Sequence, residues 1–301
     1  MSSTPTRIPL AQWAATGRRI TWRGHAIFTR EEGRLDAPAL LLIHGFPTAS
    51  WDWEAVWAPL AARHRLIALD MLGFGFSDKP SPHDYSLMAQ ADLCEHVLAQ
   101  AGVAEYHVLA HDYGDTVAQE LLARAGEPGD RPRLRSVAFL NGGLFPETHR
   151  PRAIQRLLLS PLGPFIGRLA SRRSIAGTMR RIFGAGTPPD DALIDDFWTL
   201  MTANNGRAVM HRLIRYMAER RTHRARWVGA LQAARVPLKV MAGDTDPISG
   251  AHMVARYREL VPGADVTLLA GIGHYPQVEA PAAVVSAYLA FRDAAAARTD
   301  R

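Results

Sequence analysis

The segment VLAHDYGDTVAQE (108–120) runs an apolar stretch of strand composition into His111, Asp112, Tyr113 and Gly114, and a helix-forming stretch follows. A strand that turns sharply into a helix on small residues exposes the side chain at the turn, here Asp112. Aspartate is also a good helix cap, so the motif alone leaves two roles open, nucleophile or N-cap. LLIHGFPTAS (41–50) sets His44, Gly45, Phe46 and Pro47 after another apolar run. A glycine turn there aims the backbone N–H of Phe46 at the same point. With the N–H of Tyr113 it would make an oxyanion hole, two donors fixed where negative charge develops. VMAGDTDPISG (240–250) carries two carboxylates, Asp244 and Asp246, and GIGHYPQVEAP (271–281) carries His274 between small residues and an aromatic. The chain order is then nucleophile, acid, histidine.

A carboxylate nucleophile restricts the reaction. Attack on an ester carbonyl would give a mixed anhydride, a high-energy intermediate. Attack on a saturated carbon gives an ordinary ester, which water can cleave. Asp112 therefore points to displacement at an sp³ carbon. His274 would then deprotonate the water that attacks the Asp112 carbonyl, and the Phe46 and Tyr113 N–H groups would hold the oxyanion.

These residues need a scaffold that brings loop ends together. ITWRGHAIFTRE reads as an early hairpin, and ALLLIH (39–44), RLIALD (65–70), YHVLAH (106–111), SVAFLN (136–141), LKVMAG (238–243) and DVTLLA (265–270) are nearly continuous apolar runs, as strands buried on both faces are. Helical stretches at 50–62, 85–101, 113–126, 248–260 and 280–296 alternate with them. The expectation is a mostly parallel α/β sheet with helices on both faces and the chemistry at the carboxyl ends of its strands. Alternation stops between Leu144 and Ala234, a stretch of helical pattern broken by Pro161, Pro164, Pro188 and Pro189. Residues 144–234 are expected to form a helical cap, and 1–143 with 235–301 the core. Asn204-Asn205-Gly206 within the cap reads as a turn.

The net charge of +6 is unevenly spread: 15 Arg against 6 acidic residues between 144 and 230 leave the remainder at −3. Such a cap suits peripheral contact with an anionic surface. No zinc-finger, basic-zipper or RNA-binding signature accompanies it, so nucleic acid is not expected as a partner. No metal-ligand spacing or dinucleotide glycine pattern appears, and no cofactor is expected. One cysteine, Cys94, no stretch of ~20 apolar residues and no leader-like start make a cytoplasmic location the expectation.

The motifs LLIHGFPTASWDW, LIALDMLGFGFSDKPSPHDYS, HDYGDTVAQELL, NGGLFPETHRP, ARWVGAL and GHYPQVEAP resemble the α/β-hydrolase family over residues 20–295, most closely proteins of the mesoderm-specific transcript type. That group is similar to epoxide hydrolases and haloalkane dehalogenases, which also use an aspartate nucleophile. The resemblance implies an α/β-hydrolase fold and puts the third catalytic member at Asp246, by its spacing from Gly243, with Asp244 the alternative. It further implies, for a halide, N–H donors beside the nucleophile, where Tyr113 and Phe46 stand. Trp198 offers one donor, and Trp198 and His44 are candidate pocket residues. For an epoxide it implies a tyrosine acid from the cap, and Tyr216 is the one tyrosine between 144 and 230. An epoxide hydrolase-like enzyme for a small apolar substrate is therefore the first expectation. Haloalkane dehalogenase, a lipid or ester hydrolase or acyltransferase, and a non-catalytic binding protein on the same fold are the alternatives. His111 reads as structural, and the role of Asp115, an acid beside the elbow glycine, stays open.

Overall fold

The computed structural model describes residues 7–299, with side chains through residue 297. Eight strands form one sheet: β1 (Arg18–Trp22), β2 (His25–Glu32), β3 (Ala39–Ile43), β4 (Arg65–Leu69), β5 (Glu105–His111), β6 (Arg133–Leu140), β7 (Leu238–Gly243) and β8 (Val266–Leu269). Their order is β1-β2-β4-β3-β5-β6-β7-β8. The first two are the expected hairpin and pair antiparallel; from β4 through β8 every pairing is parallel. Leu40 through Ile43 on β3 are wholly buried, as are Val108 through Ala110 on β5, which is why these runs lack alternation. Helices flank the sheet: Glu54–Ala61 packs with Pro281–Thr299, and Leu87–Gln100 packs with Tyr113–Ala125. This is the α/β-hydrolase fold.

The chain leaves β3 for β4 on one side and returns to place β5 on the other. Loops after β3 and β5 therefore diverge in opposite directions and leave a crevice between them, the place where open α/β sheets bind ligands. His44–Pro47 follows β3 and Asp112 follows β5, so the topology alone brings the two motifs together.

Between β6 and β7 the described chain holds helices and turns and no strand. Asn204 and Asn205 take left-handed backbone angles (φ 49° and 63°) and form a tight turn, a conformation asparagine tolerates. The last helix of this stretch, Arg224–Gln232, lies along Tyr113–Ala125 rather than over the strand ends.

Candidate active site

Asp112 sits at the turn between β5 and the helix Tyr113–Ala125 with φ 47° and ψ −103°, and its side chain makes no capping hydrogen bond. That separates the two roles left open by the motif: the carboxylate is not spent on the helix. A non-glycine residue held there costs on the order of 1–3 kcal/mol, and such cost persists where the surroundings over-determine it. The turn is crowded from both sides. A Cβ on Gly114 would meet the His44 carbonyl at 2.7 Å, and one on Gly45 would meet His111 Nδ1 at 2.6 Å. Both positions need glycine so that the two loops can touch.

The contact they make is chemically specific. The Phe46 N–H donates to Asp112 Oδ2 at 3.1 Å, so this donor is aimed at the carboxylate. The Tyr113 N–H is among the first amides of its helix, which have no intrahelical acceptor.

His274 follows β8 and is buried. Its Nδ1 lies 2.8 Å from Asp246 Oδ2. Asp246 also accepts from Asn141 Nδ2 (2.9 Å), the Ile248 N–H (2.7 Å), and the N–H and hydroxyl of Ser249 (3.1 and 2.8 Å). Burial alone would raise this carboxyl, but the imidazolium beside it and these donors outweigh burial and hold it near 2. Burial lowers His274, while the Asp246 charge and hydrogen bond, helped by Asp112, outweigh it and raise the imidazole to about 9. Asp244 is half-buried and accepts from the Gly271 N–H (2.8 Å), so it shapes the loop and does not hold the histidine.

Other residues take roles that the sequence reading did not assign. Glu279 accepts from the N–H groups of Gly273 and Tyr275 (both 2.9 Å) and Gly184 (2.7 Å), clamping the His274 loop to the segment after β6. Asn141, with φ 35°, bridges Asp246 and Gly243. Their signals were weak: an asparagine closing the β6 run and an acid five residues past the histidine.

Arg220 is the largest omission. It is 2% exposed, and its Nε donates to Thr116 Oγ1 (2.6 Å) and its Nη2 to the Asp112 carbonyl (2.9 Å). Nη2 also stands 3.9 Å from Asp112 Oδ1. The guanidinium lies over the Tyr216 ring, 4.4 Å from its centroid. The two are four residues apart on the helix Tyr216–Thr222 and share a face. Tyr216 is buried, its ring 5.1 Å from Tyr113 and 6.0 Å from Phe46. Its hydroxyl has no hydrogen-bond partner of normal geometry. Burial and the Asp112 charge push its pKa up, and Arg220 draws it back. His149, from the loop after β6, has both ring nitrogens buried and unpartnered; burial, with Arg220 nearby, lowers it to about 3.

The two candidate pocket residues make other contacts. His44 accepts from the Met71 N–H at Nε2 (3.0 Å), so Nδ1 carries the proton and donates to the Gly45 carbonyl (2.8 Å). Its ring is spent on shaping the oxyanion loop. Trp198 is half-buried beneath the Arg207 guanidinium. Its neighbour Phe197 is the one that reaches Tyr275, at 5.5 Å between rings, because consecutive helical residues point about 100° apart. His111 Nε2 donates to the His274 carbonyl (2.8 Å), and burial lowers the ring's pKa to about 4. Asp115 is fully buried with neither side-chain oxygen partnered; burial first, then the Asp112 charge, raises its pKa well above the ordinary value.

Residues 38–281 match the family model of the alpha/beta hydrolase fold. The chain is 40% identical to the mesoderm-specific transcript protein of Mus musculus over 292 residues, covering 94% of this chain and 87% of that one. It is also 40% identical to the putative hydrolase LipZ of Mycobacterium tuberculosis over 278 residues, covering 92% and 96%. Among solved structures, haloalkane dehalogenase DbeA from Bradyrhizobium elkani superposes with a TM-score of 0.78, covering 92% of this chain and 99% of that one. Its sequence identity is 22%, a likeness of fold alone.

Proposed function

The chain belongs to the α/β hydrolase fold family, and from that premise we propose that it is a hydrolase with an aspartate nucleophile that opens epoxides. In the first step Asp112 Oδ1 attacks a ring carbon, the C–O bond breaks, and the Tyr216 hydroxyl donates its proton to the leaving alkoxide. Oδ2 is the oxygen already held by the Phe46 N–H, which leaves Oδ1 for attack. Esterification removes the Asp112 charge, one of the causes that raise His274. The imidazolium is thereby acidified and gives up its proton, which restores the Tyr216 phenolate to the phenol. Neutral His274 then deprotonates a water that attacks the Asp112 carbonyl. Phe46 and Tyr113 N–H groups stabilise the oxyanion, and collapse releases a diol that carries the former Oδ1.

The observation that carries the epoxide reading is the Tyr216 hydroxyl, buried beside Phe46 and Tyr113 with no partner. A phenol is a donor at neutral pH, and Arg220 over its ring favours the phenolate that the step creates. Haloalkane dehalogenation is the second reading; the indole that would serve a halide, Trp198, lies under Arg207. The residues 144–234 act as the cap that delivers Tyr216 and Arg220 to the core.

Intact-protein mass spectrometry on a His274→Gln variant separates these readings. Exposure to an epoxide panel is expected to leave an adduct on Asp112, because the variant forms the ester but cannot hydrolyse it. Tyr216→Phe should lower epoxide turnover about 10²–10⁴-fold. An adduct from haloalkanes alone would move the assignment to dehalogenation. No adduct from either panel, on folded protein, would overturn both readings.

A further inference from the structure

The cap turns its apolar side outward in one place. Six of the eight large hydrophobic side chains exposed among the described residues fall between 154 and 169: Ile154, Leu157, Leu159, Leu162, Phe165 and Leu169, the last two 65% and 77% exposed. They lie on two consecutive helices in mutual contact, Ala153–Leu159 and Gly163–Leu169. The second helix is inverted relative to an ordinary surface helix. Its buried face carries Gly163 and Gly167, where a Cβ would come within 3.0 Å of His211 Cβ and 2.7 Å of the Arg207 carbonyl. Glycines let this helix lie close on its neighbours, and Leu162, Phe165 and Leu169 follow an i, i+3, i+7 stripe on the opposite side.

The charge around this patch is one-sided. From residue 148 to 189 the chain has eight arginines and no aspartate or glutamate. Arg150, Arg156, Arg168 and Arg173 are exposed. A contiguous apolar patch rimmed by arginine has the composition of a helix pair that lies in a membrane interface, with apolar side chains among the acyl chains and guanidinium groups at the phosphates. No helix among the described residues is long and apolar enough to cross a bilayer.

We propose that residues 153–169 dock the cap peripherally on an anionic lipid surface. The partner's chemistry follows from charge complementarity: of the eight arginines in these 42 positions, Arg172 and Arg180 pair with Asp191 and Asp195, and the excess of arginine that remains favours anionic phospholipid headgroups over neutral ones. The inference stands on the surface of the cap and is independent of the reaction at Asp112.

Flotation of the full chain with vesicles tests it. Vesicles of equal parts phosphatidylglycerol and phosphatidylcholine should carry the protein up the gradient, and pure phosphatidylcholine vesicles should not. The triple variant Leu162→Ser, Phe165→Ser, Leu169→Ser should lose about tenfold or more in partitioning. Arg156→Gln with Arg168→Gln and Arg173→Gln should lose on the order of a hundredfold, and high salt should mimic that loss. These side chains are exposed, so an unchanged thermal unfolding midpoint is expected for both variants. Wild-type protein that stays at the bottom with anionic vesicles overturns the proposal. So does equal flotation with neutral vesicles. A wild-type dimer that the serine variant converts to monomer, without vesicle binding, would reassign the face to self-association.

Discussion

The strand ends and the helices between β6 and β7, the proposed cap, build their parts of the candidate site by different means. On the core side Asp246 accepts from five donors, His111 Nε2 and both His44 ring nitrogens bond to backbone, and Glu279 clamps the histidine loop. On the cap side the Tyr216 hydroxyl and Arg220 Nη1 are buried without partners. A saturated group is held in place, and an unpartnered one keeps its hydrogen-bonding capacity. The same contrast separates two buried acids near Asp112, Asp246 with its donors and Asp115 with none.

The sharpest test of that contrast uses the acids themselves. Asp246→Asn should lower turnover about 10⁴-fold, since the amide no longer fixes the imidazole tautomer. Asp115→Asn replaces an acid whose pKa burial raises, and should change turnover by less than about threefold and stability by under about 1 kcal/mol. A large loss of turnover in the Asp115 variant would give that acid a place in the chemistry.

Arg220 joins the two regions. Arg220→Met leaves Thr116 and the Asp112 carbonyl without their donor and Asp112 without its nearest cap cation, and should cost about 3 kcal/mol in chemical denaturation. Arg220→Lys keeps charge without the planar fork and should recover only part of it. Full recovery by lysine would show that charge, and not the two-point contact, ties cap to core.

A smaller effect lies in the pH dependence of stability. His274 is raised from its ordinary 6.5 to about 9, so its contribution is complete below about 6.5 and is lost as pH rises through about 9. Asp246 is lowered from 3.8 to about 2, so its contribution is complete above 3.8 and is lost as pH falls through about 2. Urea midpoints across this range should show the alkaline decline in wild type and a flatter limb in His274→Gln. An identical alkaline limb in both would mean that the pair does not carry it. Least of all, Trp198→Phe should leave kcat/KM within about twofold while Phe197→Ala lowers stability by about 3 kcal/mol.

The core half of the site was legible because strand ends fix where a motif must sit. Three apolar runs, each followed by a loop bearing one functional type, determine the neighbourhood of Asp112, Asp246 and His274 without knowledge of any rotamer. Between β6 and β7, helical phase decides which side chain faces inward, and Phe197 rather than its neighbour Trp198 is the one that reaches Tyr275. Arg220 was hidden among 15 arginines of the 144–230 segment. Its position four residues after Tyr216 was the available signal, since a tyrosine facing the site brings its i+4 neighbour with it. The bonds of His44 were not legible either, because a buried histidine beside a glycine turn serves backbone geometry as readily as a pocket.

The central claim is that Asp112 attacks carbon and is then hydrolysed itself. A single turnover of wild-type enzyme in H₂¹⁸O, with enzyme in excess over epoxide, tests it most directly. The expected result is unlabelled diol and one ¹⁸O in the peptide containing Asp112, because water enters at the carboxyl carbon and the former Oδ1 leaves with the product. Label in the diol and none in Asp112 would contradict the claim and show that water attacks the substrate directly.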